Sequence, residues 1–67
     1  MHGTIKRLVS DKKFGFILGE DKKEYFFHAT ALKNARFDDV EEGAVVEFED
    51  SVGDKGLRAE DVYVDQQ

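Results

Sequence analysis

An all-β fold, a small sandwich or barrel, is predicted by three features of this sequence. Five strand-like runs rich in β-branched and aromatic residues follow one another at short spacing. Proline is absent and glycine does most of the punctuation between them. No segment carries the apolar periodicity of a helix longer than a single turn.

The runs occupy residues 4–9, 14–18, 24–28, 44–49 and 57–64. Ser10-Asp11-Lys12 and Gly19-Glu20-Asp21 have the composition of hairpin connections. Gly53-Asp54-Lys55-Gly56 is the clearest turn, with two glycines free to take positive φ. Residues 29–43 form the longest connection. Within it, Thr30-Ala31-Leu32-Lys33-Asn34 is expected to make one helical turn capped by Thr30. Such a stretch is too short to stand as a free helix.

Side chains alternate between the faces of a strand, which assigns the core. Tyr25 and Phe27 share one face, Phe26 and His28 the other. Phe14 and Phe16 oppose Gly15 and Ile17. Glutamates at 47 and 49 make Val46 and Phe48 the inward pair. Ile5, Ile17, Leu32 and Val62 are expected to join them.

Composition bounds the rest. The 67 residues suffice for one domain, 1–67, which at this size buries only ~60% of its unfolded surface. There is no cysteine, so neither a disulfide nor a thiolate metal site can staple it. A hydrophobic fraction of 40% belongs to a folded chain rather than a disordered one. The N-terminus lacks the apolar stretch of a secretory peptide. No apolar run approaches the ~20 residues needed to span a bilayer. A cytoplasmic location, with no membrane partner, is the expectation. Net charge is −5, but its distribution is uneven. Residues 1–37 hold eight basic and four acidic side chains, a net of +4. Residues 38–67 hold two basic and eleven acidic ones, a net of −9. A polyanion responds to the local field, so the first half is able to offer a basic face despite the total.

The aromatic residues carry the functional signal. Five of eight lie between residues 14 and 27, on two adjacent strands. With Tyr25 and Phe27 in the core, Phe14, Phe16, Phe26 and His28 are left on the outer face. If the second and third runs pair, the four rings make one patch, with Lys6, Lys12 and Lys13 at its rim. Exposed apolar patches mark contact surfaces. Aromatic rings with a basic rim suit single-stranded nucleic acid, whose bases stack on them at ~1–3 kcal/mol each while lysines track the phosphates. Enzymatic chemistry is not indicated. His2 and His28 lie far apart, and no nucleophile–base pattern or phosphate-cradling loop is present. No second ligand stands near His28 at metal-binding spacing. Neither cofactor, metal nor small-molecule substrate is expected.

These residues resemble the cold-shock domain family. Lys12-Lys13-Phe14-Gly15-Phe16-Ile17 resembles its first ribonucleoprotein motif, usually Lys-Gly-Phe-Gly-Phe-Ile. Tyr25-Phe26-Phe27-His28 resembles the second, usually Val-Phe-Val-His-Phe. Gly3-Thr4-Ile5-Lys6, the segment 41–48 and the ending 56–62 match the family's opening, fourth strand and last strand in order. The resemblance implies a five-stranded antiparallel Greek-key barrel of the OB type that binds single-stranded RNA or DNA. It implies a role as RNA chaperone or as modulator of transcription or translation. By position it places Lys6, Lys12, Phe14, Phe16, Phe26, His28 and Phe37 on the binding face, Phe37 from the long loop. Three positions depart from the pattern. Arg7-Leu8-Val9 stands where the family usually has Trp-Phe-Asn, so the tryptophan platform is replaced by a guanidinium able to stack and to pair with phosphate. Ala29 replaces the aromatic after the histidine, and Lys13 replaces the motif's first glycine. Arg7 and Lys13 therefore join the expected site, and the balance moves from stacking toward charge. The competing reading is a barrel of this type repurposed as a protein–protein interaction module. A monomer or weak dimer is expected.

Overall fold

In a computed structural model, which describes residues 1–54 and 56–65, five strands close into a barrel. They are β1 (His2–Val9), β2 (Phe14–Gly19), β3 (Glu24–His28), β4 (Val45–Gly53) and β5 (Gly56–Val64). Around the barrel the order is β1-β2-β3-β5-β4. Four junctions are antiparallel, and the fifth, β3 with β5, is parallel through Phe26 opposite Arg58. The five-stranded antiparallel barrel of the OB type expected from the sequence is thus present, with one parallel junction where it closes. Directions cannot alternate all the way around a closed ring of five, so one junction must be parallel.

Each hairpin follows from local chemistry. β2 and β3 join through Asp21, whose carboxylate accepts the Lys23 N–H at 3.0 Å and the Tyr25 hydroxyl at 2.5 Å. β4 and β5 join at Gly53 opposite Gly56, and Gly56 takes φ +117, which is why glycine stands there. Only this one of the turn's two glycines takes positive φ; Lys55 lies outside the described residues. β4 extends to residue 53, beyond the predicted 49, because the strand continues through Glu49, Asp50 and Ser51 to the turn.

The helical turn in the long connection is a 3-10 turn over Ala29–Ala31. Its cap is His28 rather than Thr30: the His28 ring Nδ1 accepts the Thr30 N–H at 3.3 Å. β3 runs straight into the turn, so its last side chain occupies the capping position. A second 3-10 turn, Phe37–Asp39, was not legible in the sequence.

The barrel interior holds Ile5, Ile17, Tyr25, Phe27, Phe37, Val40, Val46, Phe48, Ala59 and Val62, all buried. Leu32, expected in this set, is only partly buried and packs against it from the β3–β4 connection. Gly15 is buried among them because no side chain fits. A Cβ there would lie 2.7 Å from the Arg7 carbonyl oxygen and 2.8 Å from the Phe27 ring.

A bulge in β1 decides what the outer face carries. Ile5 pairs with Ile17, but Arg7 pairs with Phe16, so Lys6 is the extra residue. Without the bulge, Ile5 and Arg7 would share a face. With it, Ile5 points into the core and Arg7 emerges on the outside beside Phe16.

Candidate nucleic-acid interface

Strand register assembles the patch. Phe16 lies opposite Phe26, and Phe14 opposite His28. The three phenylalanine rings form a mutual cluster. Phe14 and Phe26 are 5.3 Å apart between centroids and tilted by 42°. Phe14 meets Phe16 edge-on at 5.8 Å, and Phe16 meets Phe26 edge-on at 6.0 Å. All three are partly buried against each other, and their outward faces and edges remain open. His28 is exposed. Because its Nδ1 accepts from the Thr30 backbone, a neutral ring carries its proton on Nε2.

Arg7 stands across from Phe16 on one side of the cluster. On the other side, Phe26 pairs with Arg58 of β5. The Arg58 stem crosses Gly53, where a Cβ would lie 2.5 Å from Arg58 Cδ. A single row across the sheet therefore reads Arg7, Phe16, Phe26, Arg58, two guanidinium-bearing residues bracketing two rings. Arg58 was not anticipated. It is one of two basic residues in the acidic half of the chain, and its neighbour is set by a long-range pairing that sequence spacing does not reveal. The one local clue was alternation with Ala59, which is buried and so turns Arg58 outward.

The lysines differ among themselves. Lys12 is exposed. Among the described residues Arg7, Lys12 and Arg58 form no ion pair. Lys6 donates to Glu24 Oε2 at 2.9 Å, and Lys13 to Asp38 Oδ1 at 2.8 Å. The Lys13 ammonium, by hydrogen bond and then by charge, holds the Asp38 carboxyl below its ordinary range, so that carboxylate stays ionised.

Phe37 departs from its expected place flanking the patch. It is 8% exposed and belongs to the core, with its ring centroid 6.3 Å from that of Phe27. The second 3-10 turn begins at Phe37 and drives it inward with Val40 to close that end of the barrel. Lys13 Nζ lies 5.8 Å from the Phe37 ring centroid, covering what remains.

No cluster of three or more metal-ligating side chains occurs among the described residues. None of the described helices is long and apolar enough to cross a membrane.

Known proteins are similar to this chain. The family model of the 'Cold-shock' DNA-binding domain matches residues 1–65. Cold shock protein 2 of Lactiplantibacillus plantarum is 39% identical over 61 residues, which cover 91% of this chain and 92% of the relative. Cold shock protein CspA of Staphylococcus aureus is 40% identical over 60 residues, covering 90% and 91%. Among solved structures, drosophila Unr CSD456 superposes with a TM-score of 0.71 at 25% identity, over 97% of this chain and 26% of that one. A family match over nearly the whole chain, two relatives of similar length and a barrel carrying an outward aromatic cluster agree: the chain belongs to the cold-shock domain family, a family of nucleic-acid-binding proteins.

Proposed function

We propose that this chain binds single-stranded RNA or DNA by stacking unpaired bases on Phe14, Phe16, Phe26 and His28. Arg7, Lys12 and Arg58 hold the phosphates, with Lys6 and Lys13 available once released from their carboxylates. The observation that carries this reading is the cluster of three rings on the outside of a closed barrel, bracketed by cations that form no ion pair among the described residues. A duplex hides its base faces in its own stack, so the rings favour a single strand. The role that follows is that of a cytoplasmic RNA chaperone or modulator of transcription or translation. It is a binding role without catalysis, which rests on the family rather than on the geometry.

The test is a titration of fluorescein-labelled single strands of about eight nucleotides, RNA and DNA, at low salt. Binding in the micromolar range or tighter is expected. Phe16→Ala and Phe26→Ala should each weaken it by ~1–3 kcal/mol. Thermal unfolding followed in parallel separates lost stacking from lost packing, since the rings also contact one another. A protein that binds no single strand even at millimolar concentration would transfer the patch to a protein partner.

A further inference from the structure

We propose that Asp38 is an intramolecular substitute for a nucleic-acid phosphate, so that a bound strand gains Lys13 only by displacing it. The proposal rests on the nucleic-acid reading of the aromatic face and adds a residue that sets its affinity.

Lys13 is placed to meet a phosphate. It immediately precedes Phe14, and its carbonyl oxygen accepts the Ala29 N–H at 2.9 Å, which ties its backbone to the end of β3 beside His28. Its side chain nevertheless turns away across the Phe37 ring to Asp38. Asp38 is held ready for it. The 3-10 turn is closed by the Asp39 N–H on the Arg36 carbonyl at 3.0 Å and the Val40 N–H on the Phe37 carbonyl at 3.2 Å. Phe37 and Val40 anchor that turn in the core on either side. The turn that carries the carboxylate is thus anchored at both ends, while the ammonium reaches it on a long stem.

The pair is also open to exchange. The side chains of Lys13 and Asp38 are 51% and 75% exposed. A pair in water is weak and is readily replaced by another oxyanion of similar geometry. A phosphate oxygen offers Lys13 the same charge-assisted bond that the carboxylate gives it. Strand binding at this point therefore swaps one anion for another, and Lys13 contributes only the difference. Arg7, Lys12 and Arg58 carry no such competitor among the described residues.

The experiment measures affinity for the labelled single strand at low salt in five variants of the full chain, three single and two double. Asp38→Asn frees Lys13 and should tighten binding by a factor of roughly 1.4 to 5, the range spanned by exposed ion pairs. Asp39→Asn removes the same charge one residue on, where no lysine is paired among the described residues, and should give a smaller gain. Lys13→Gly alone should weaken binding modestly. In a Lys13→Gly background, Asp38→Asn should lose its advantage over Asp39→Asn. Equal gains from Asp38→Asn and Asp39→Asn, or a gain from Asp38→Asn that persists undiminished without Lys13, would show only general relief of negative charge and overturn the proposal. Failure of the unaltered protein to bind would remove the nucleic-acid reading, and this proposal with it.

Discussion

At Lys13 a backbone demand and a proposed binding role meet in one residue. Its φ is +59, a left-handed conformation that costs a residue with a Cβ about 1–2 kcal/mol relative to the right-handed one. A glycine at this point would carry no such cost, and glycine is the residue of the motif that this segment resembles. Lys13→Gly should therefore raise stability by about 1 kcal/mol, less whatever the Asp38 pair supplies. Urea unfolding of the two proteins checks it, and a destabilised glycine variant would mean the ion pair outweighs the backbone strain. Residue identity was legible in the sequence here, but the strain was not. The same limit applies to Phe37. Its aromatic character was plain, yet its direction depended on a 3-10 turn of three residues with no periodic signal. His28, a base-stacking ring in the proposed function, also caps the following turn, which follows from where β3 happens to end.

At the scale of elements, alternation served well wherever a strand was regular. In β2, β3 and the first half of β4 it placed Ile17, Tyr25, Phe27, Val46 and Phe48 inside, as found. It fails at bulges, where the count of residues on the two strands differs. Lys6 in β1 is one case. A second lies where β5 passes Phe48: Glu49 pairs with Glu60 and Glu47 with Tyr63, with Asp61 at φ +49 inside the irregular step. The β2–β3 hairpin carries a testable consequence of its own. The Tyr25 ring is buried against Phe48, 5.1 Å between centroids, and its hydroxyl donates to Asp21. That bond, then burial, pushes the Tyr25 pKa from 10.0 up to about 12, and it holds the Asp21 carboxyl below its usual value of 3.8. A folded-state pKa raised for an acid favours its protonated form. The stabilisation is whole below pH 10, where the unfolded chain also keeps its proton, and is lost as pH rises through about 12. For Asp21 the depressed value acts at the other end: its contribution is whole above 3.8 and disappears as pH falls through the lower folded value. Tyr25→Phe should flatten the alkaline limb of a stability–pH curve between pH 10 and about 12 and weaken the acid limb. An alkaline limb unchanged by the substitution would assign it to other groups.

At the scale of the whole molecule, charge separation and barrel closure combine. The sequence showed a basic first half and an acidic second half, and it suggested a basic face made by the first half alone. Closure changes that, because the β3–β5 junction brings Arg58 from the acidic half to the far side of the aromatic cluster. No local pattern could have announced it, since the contact exists only once β5 has returned to the ring. The face therefore has cations on both flanks, and a strand crossing it as proposed would meet phosphate partners before and after the rings. Neutralising a phosphate releases condensed counterions, giving a slope of log affinity against log salt of about −0.7 per contact for single strands. Arg7, Lys12 and Arg58 together give a slope of about −2, so affinity should fall roughly tenfold as salt rises from ~30 to ~100 mM. Arg58→Gln should make the slope shallower by about 0.7, with the relative preference among bases little changed, because phosphate contacts carry no sequence information. Its fold should be unaffected, for the side chain is exposed and lies over Gly53 rather than in the core. If the slope of Arg58→Gln matches that of the unaltered protein, the strand does not reach β5, and the phosphates are held from the β1–β2 side alone.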